Sequence, residues 1–452
     1  MLYYSTNHQA EHVTFKDALL QGLAEDRGLY MPETYPQVSP AEIQAMKAME
    51  YPEIAFTIAQ KFLADEIPMD ELKRLVYDAY DYPIPLEQVK DRLYVMRLDQ
   101  GPTASFKDFA ARLMGRLMQY YLNQKKSKLL ILTATSGDTG SAIANAFYGL
   151  DNIKVVVLYP EKEVTARQRK QMTTLGENIQ IISIDGKFDD CQALVKKAFS
   201  DPELKHLELS SANSINIGRL IPQSMYYFYA YAKLFETPGE EIVFSVPSGN
   251  FGDLMGGLFA KNMGLPVYKF VVATNENDEF PTYCKTGEYT VISPSRNCIS
   301  SAMNVGHPSN VARLITLYGG VMDETGKIIK QPSLERIRRD MFAVSVSDSE
   351  TESTINLAMT QNQLLLEPHG AVGWAGLARY LQHYPNEKNR LCVSLETAHP
   401  AKFPEKIQEI LQIEPKLPPS LQNLEDKEEF ITPMQYDYRA FKEFLKENYA
   451  TI

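Results

Sequence analysis

Cysteine is scarce in this chain: four residues in 452, at positions 191, 284, 298 and 392. Cys191, Cys284, Cys298 and Cys392 lie far apart with no C-x-x-C pair. Neither a zinc site nor a disulfide framework is therefore expected, and the thiols read as reduced, as in a cytoplasmic protein. No apolar run approaches the ~20 residues that cross a bilayer. The opening Met1-Leu-Tyr-Tyr-Ser-Thr-Asn7 has neither the basic nor the apolar region of a signal peptide. Positive charge is in deficit, with 57 acidic against 46 basic side chains and a net charge of −11. That argues against a nucleic-acid partner, which needs a positive surface to displace counterions. A local basic pocket for a small anion is untouched by this balance. The spacings G-x-G-x-x-G, H-E-x-x-H and G-x-S-x-G are missing, as is a phosphate loop ending in Gly-Lys-Ser/Thr. These absences disfavour a dinucleotide fold, a metal site, an α/β-hydrolase and a P-loop enzyme in turn.

What is present is an alternation. Apolar runs at 129–135, 154–158 and 179–184 are each followed by a helix-like segment, at 141–147, 166–175 and 191–199. A second series follows an aromatic helix at 224–235, with strands at 242–246, 269–273 and 391–395. Short continuous apolar runs separated by helices predict parallel sheets covered on both faces. The first hundred residues read as mostly helical, broken at Pro32, Pro36, Pro40 and Pro83. The predicted fold class is α/β, with two open-sheet α/β domains, an active-site cleft between them, and a largely helical N-terminal region. The expected division is 1–100 for that region, 101–225 for a smaller domain, and 226–452 for a larger one. The smaller would carry Lys107 and the polar segments 133–140 and 213–219, the larger the glycine loop 248–253 and Thr397. A loop after Lys416-Leu-Pro-Pro419 leads to a terminal amphipathic helix near 438–448. The stretch 275–306 reads either as a lid or as a packing loop.

The most informative run is Gly101-Pro-Thr-Ala-Ser-Phe-Lys107-Asp108-Phe109, a compact turn that places one lysine at the mouth of a helix. A lysine that attacks a carbonyl must first lose its proton, which requires partial desolvation or a neighbouring positive charge. Phe106 and Phe109 could supply the apolar wall; taken alone, Lys107 could equally be a surface lysine paired with Asp108. Thr133-Ala-Thr-Ser-Gly-Asp-Thr-Gly140 follows a strand and opens a helix, a geometry that gathers free N–H groups and hydroxyls for a carboxylate or phosphate. Its plainer reading is a helix start capped by Asp138 or Thr139. In Ser248-Gly249-Asn250-Phe251-Gly252-Asp253 the glycines let the backbone approach an anion and form a nest of amides, or simply make a turn. Asn213-Ser-Ile-Asn-Ile-Gly-Arg219 ends in a guanidinium, which can hold a phosphate through two parallel hydrogen bonds or sit on the surface at a helix start. Glu367-Pro-His-Gly-Ala-Val-Gly373 and Glu396-Thr-Ala-His-Pro-Ala-Lys-Phe-Pro404 put polar groups near element ends without a catalytic spacing. The lysine and the glycine loop together point to pyridoxal-phosphate chemistry.

These segments, in this order, resemble the threonine synthase family, pyridoxal-phosphate enzymes of the tryptophan-synthase-β structural group. Tyr3-Tyr-Ser-Thr6 and Leu23-Ala-Glu-Asp-Arg-Gly-Leu-Tyr30 are similar to its N-terminal signature, and the resemblance runs nearly end to end. Arg27, Ile217 and Ala104 depart from it, standing where a glycine, an aromatic and a larger apolar residue are common. The resemblance implies that Lys107 carries pyridoxal 5'-phosphate. It assigns the cofactor phosphate to Gly249, Asn250, Phe251 and Gly252, with Asp253 closing the loop, the pyridine nitrogen to Thr397, and the neighbourhood of the ring hydroxyl to Asp138. Ser136, Thr139, Ser214, Asn216 and Arg219 would hold the carboxylate and phosphate of O-phospho-L-homoserine, which becomes L-threonine and phosphate. A monomer or homodimer is expected, with no membrane partner. The rival readings are a phospho-lyase that stops at 2-oxobutyrate, a serine or threonine dehydratase, and a non-catalytic binding protein on the same fold.

Overall fold

Strands form where the chain offers runs that are apolar at every position. In the structure, a computed structural model describing residues 1–450, Leu129–Ala134, Ile153–Pro160 and Ile179–Asp185 pair in parallel, and successive side chains enter two different cores. Ile131, Val155, Val157 and Ile181 point into the main core, whereas Leu130, Leu132, Val156, Leu158, Ile182 and Ile184 point into a second one beneath the helix Phe188–Ser200. The twofold period of a strand, with apolar residues in both phases, requires cover on both faces, and helices supply it.

The smaller sheet has five strands, in the order Thr432–Gln435, Ile179–Asp185, Ile153–Pro160, Leu129–Ala134 and Leu209–Ser210, all pairs parallel. The larger has six, in the order Met341–Ser345, Val267–Thr274, Ile242–Pro247, Leu391–Glu396, Leu93–Arg97 and Leu86–Lys90. Its pairs are parallel except the last, a hairpin at the edge. The chain therefore crosses between the sheets more often than a division at 100 and 225 implies. Residues 86–97 belong to the larger sheet, and the C-terminal strand returns to the edge of the smaller one.

The N-terminal region is dominated by helices, and it also contains a three-stranded antiparallel sheet of Val13–Thr14, Leu2–Ser5 and Tyr30–Pro32. The helix Tyr51–Leu63 buries Tyr51, Ile54, Ala55, Ile58, Ala59, Phe62 and Leu63, the spacing of a single apolar stripe. That stripe faces the aromatic helix Leu220–Leu234, which also packs on Gly252–Asn262. The last contact is close: a Cβ at Gly256 would lie 2.7 Å from the backbone carbonyl carbon of Gln223. This close packing seats the head of helix Gly252–Asn262 at the C-terminal end of strand Ile242–Pro247, where the two sheets face each other. No helix is long and apolar enough to cross a membrane, among the described residues.

Candidate active site

The lysine turn is built by its own neighbours. Asp108 accepts from the Thr103 amide at 2.9 Å and its hydroxyl at 2.6 Å, folding residues 103–108 tightly before helix Lys107–Lys125 begins. Ala104 takes a left-handed conformation, φ +54°, which a small side chain tolerates better than a branched one. The turn is pinned to the segment after strand Leu391–Glu396: the Phe106 amide donates to the Thr397 carbonyl at 2.9 Å, and the His399 amide to the Ala104 carbonyl at 3.0 Å. Lys107 therefore stands beside Thr397 because the backbones of the two segments are hydrogen-bonded.

One cavity at the meeting of the sheets gathers Lys107, Ser136, Asp138, Thr139, Ser214, Arg219, Thr397 and the whole of Gly249 to Asp253. Lys107 Nζ lies 3.7 Å from Asp138 Oδ2 and 4.8 Å from the centre of the Phe106 ring. Burial, with Lys402 and Arg219 acting in the same sense, pushes the lysine below its usual range against the pull of Asp138. Burial alone would raise Asp138, but Lys402 and Lys107 outweigh it and hold this carboxyl well below the usual range. Lys402 donates to its Oδ1 at 2.7 Å and Gln168 at 2.9 Å.

Across the cavity, Phe251 adopts φ +62° and turns the chain into helix Gly252–Asn262. The amides from Gly249 to Asp253 have no acceptor among the described residues, and they sit at the positive end of an eleven-residue helix. A Cβ at Gly249 would come within 2.8 Å of the Ala302 carbonyl oxygen and 3.0 Å of Met303 Cα, so glycine is required for the loop at 302–305 to close over the cradle. Ala302 is held in turn by His369, whose Nε2 accepts from its amide at 3.0 Å while Nδ1 meets Glu367, the cap of helix Pro368–His383. The end of the stretch 275–306, residues 302–305, is thus part of the cavity wall. Asp253 receives the hydroxyls of Tyr226 and Tyr227 on Oδ1, at 2.6 and 2.7 Å, and burial pushes its carboxyl up to about 6.

Asn216 is the exception among the expected site residues. Its amide nitrogen donates to the Leu19 and Ser211 carbonyls, and its oxygen caps the Gly218 amide at 2.9 Å. It does not line the cavity. A polar side chain in a loop has been taken up by backbone groups, and its role is to shape the turn that presents Ser214 and Arg219.

Three family descriptions tile the chain: threonine synthase N terminus over residues 2–80, pyridoxal-phosphate dependent enzyme over 80–395, and threonine synthase, C-terminal, over 370–445. The threonine synthase of Haemophilus influenzae is 40% identical over 446 residues, 98% of this chain and 99% of the relative. This chain belongs to the threonine synthase family. Solved structures agree: the pyridoxal-phosphate-bound threonine synthase of Brucella melitensis superposes with a TM-score of 0.90 at 36% identity, covering 99% of both chains. That of Escherichia coli gives 0.88 at 37%, covering 99% of this chain and all of the other. This threonine synthase family member is accordingly a pyridoxal-phosphate-dependent lyase. The residues present fit that cofactor: an enclosed lysine of lowered basicity, the amides from Gly249 to Asp253 without acceptors, and a hydroxyl at Thr397 with no intramolecular partner among the described residues.

Lys402, Gln168, the Glu367–His369 pair and the loop at 302–305 line or brace this cavity, and the sequence does not assign them to it. The signal for Lys402 and His369 is their place in two polar segments at element ends. Nothing local marks Gln168, which reaches Asp138 from another helix.

Proposed function

We propose that this chain converts O-phospho-L-homoserine and water to L-threonine and inorganic phosphate, a β,γ-replacement. One observation supports a phosphorylated substrate above all: the buried guanidinium of Arg219 lines the cavity with no carboxylate partner among the described residues, and its Nε has no hydrogen-bond partner there. Arg219 donates to the Ala212 carbonyl at 2.8 Å. Arg313 donates to the carbonyls of Tyr30, Ser214 and Ile215 and to Asn310 Oδ1. Burial pushes Arg219 down to about 10 and Arg313 to about 9. Unpaired buried cations are costly, and a bound anion offsets the cost. Arg219 stands apart from the amide cradle at 249–253, which supports separate sites for a substrate phosphate and a cofactor phosphate, while Arg313 lies outside the cavity and braces the backbone at 214–215.

In this reading Lys107 holds the cofactor, Gly249 to Asp253 hold its phosphate, Thr397 meets its ring nitrogen, and Asp138 lies near the ring hydroxyl. The bound cofactor supplies an electron sink for negative charge at the substrate Cα. A neutral hydroxyl at Thr397, unlike a carboxylate, leaves the ring nitrogen less readily protonated. Lys107 Nζ is the base placed to take the proton from Cα and then one from Cβ, and to return one to Cγ and, at the end, one to Cα. The Cγ–O bond breaks with its electrons leaving on phosphate, which Arg219 and Ser214 receive. The oxygen of water bonds to Cβ as one of its O–H bonds breaks, and the released phosphate takes up that proton. The hydroxyls of Ser136 and Thr139, at the head of helix Asp138–Phe147, hold the substrate carboxylate. Phe106, Phe188 and Met303 wall the cavity and limit entry of stray water.

The test is incubation of the purified chain with O-phospho-L-homoserine while phosphate and amino acid are both measured. Threonine and phosphate are expected in equal amounts. Phosphate accompanied by 2-oxobutyrate would show a phospho-lyase on the same site, and no phosphate from cofactor-loaded protein would overturn the substrate.

A further inference from the structure

Asp138 faces two lysines, and the one outside the cavity holds it more closely. Lys402 Nζ is 2.7 Å from Oδ1, whereas Lys107 Nζ is 3.7 Å from Oδ2. Lys402 is fully enclosed, and it also donates to the Thr103 carbonyl at 2.9 Å, the same turn that builds the Lys107 site. It belongs to the segment following the larger sheet's strand Leu391–Glu396, whereas Asp138 heads a helix of the smaller sheet. Arg167 of helix Ala166–Thr173 and its cap Thr165 fix the segment by bonds to the Ala401 and Lys402 carbonyls, at 2.6 and 3.3 Å. An ammonium buried this completely is costly unless it is paired and hydrogen-bonded, so its position calls for a use.

We propose that Lys402 is a positioning residue that occupies Asp138 and thereby leaves Lys107 free to release its proton to water. With Lys402 in place, the cluster of Lys107, Asp138 and Lys402 carries one positive charge, and loss of the Lys107 proton makes it neutral. Without Lys402, a protonated Lys107 would balance Asp138, and losing the proton would strand a buried carboxylate. The attraction that Asp138 exerts on the proton is the same in both cases; Lys402 supplies the opposing charge. The other charged groups facing Lys107 come from four directions. Arg219 acts with Lys402, Glu367 acts against it, Asp253 stands at the head of helix Gly252–Asn262, and Asp108 adjoins Lys107 on its own helix. His369 faces Asp138 beyond them.

The inference rests on Lys107 being the cofactor-bearing amine, and its test needs neither substrate nor turnover. The full-length chain, freed of cofactor, is labelled with trace acetic anhydride across a pH series, and modification of the Lys107 peptide is followed by mass spectrometry. Lys402→Met should slow labelling at pH 8 by roughly tenfold, the effect of an opposite charge left uncompensated nearby. Asp138→Asn should label faster than wild type. The double variant K402M/D138N should return to within about twofold of wild type, because both charges are gone. A purely structural role for Lys402 moves stability without this reversal. Labelling of K402M at the wild-type rate, or a double variant as slow as K402M, would overturn the proposal. Should K402M fail to fold, Lys402→Gln takes its place: it should slow labelling as K402M does, and labelling at the wild-type rate overturns the proposal equally. A chain that releases phosphate without threonine would leave these labelling results intact, so the two readings fail separately.

Discussion

At the scale of single residues, Asp253 is the most instructive group, because it places an acid beside amides meant for an anion. Both tyrosine hydroxyls fall on Oδ1, and Oδ2 has no partner in a fully enclosed position. Burial raises the carboxyl from 3.8 to about 6 in spite of those hydrogen bonds. A native pKa above the unfolded one means that the folded state binds this proton more tightly. Its contribution to stability is complete below about pH 4 and is lost as pH rises through 6, a change of about 3 kcal/mol. Asp253→Asn keeps an acceptor for Tyr226 and Tyr227 and removes the charge. Urea unfolding at pH 4 and pH 7 should show the Asn variant gaining about 2 kcal/mol relative to wild type at the higher pH. A difference between the two proteins that does not change with pH would contradict this account. The same residue shows what sequence does and does not reveal at this scale. The glycine loop announces an anion cradle through its composition, since glycine spacing and a helix start are local properties. That its last residue is enclosed by two tyrosines from another helix is a tertiary property, as is the pairing of Asp138 with Lys402 and Gln168. Asn216 fails as a site residue for the same reason: donor and acceptor groups are visible in sequence, and the backbone atoms that claim them are not.

At the scale of elements, the site depends on a loop held down at its far side. Glu367 caps helix Pro368–His383 and orients His369, which accepts from Ala302, and the Ala302 carbonyl then presses on Gly249. Every contact in that series is between backbone or firmly bonded atoms, so little can yield. Gly249→Ala would put a methyl 2.8 Å from the Ala302 oxygen and force either the cradle or the loop to move. If these amides hold the cofactor phosphate as proposed, cofactor retention, read as visible absorbance per mole of protein during dialysis, should fall about tenfold or more. Retention equal to wild type would mean that the loop yields without disturbing the cradle. Elements differ in how plainly they are written. The central strands are legible because they are buried on both faces and so are apolar throughout. Three of the strands that the pattern does not mark are edges: Met341–Ser345 is half-exposed, Leu86–Lys90 is laced with polar residues, and Thr432–Gln435 contains Pro433. An edge strand needs neither a continuous apolar run nor every amide, so proline and charge are tolerated there and the pattern fades.

At the scale of the whole molecule, the chain's return to the smaller sheet makes its last described residues part of the core that backs the site. The C-terminal helix Tyr438–Tyr449 buries Phe441 and Leu445 completely, against Leu194, Val195 and the outward face of the small sheet's strands. Substitutions inside the cavity would not test this link, whereas a cavity made on the far side would. Phe441→Ala should cost about 3–5 kcal/mol, the usual range for an enclosed phenylalanine. The cost should fall on one sheet. Trp374, the single tryptophan, sits on helix Pro368–His383 against the larger sheet, so its fluorescence reports that part alone. In urea, the variant should release cofactor at a lower concentration than the one at which Trp374 responds, because the smaller sheet supplies part of the cavity wall. The two transitions should coincide in the wild-type chain if the sheets unfold together across the shared cleft. Coincident and unshifted transitions in the variant would show that the terminal helix is not a working part of the smaller sheet's core. Separate transitions would instead place the weakest point of this fold at the back of the sheet that carries Asp138, remote from the cofactor and decisive for holding it.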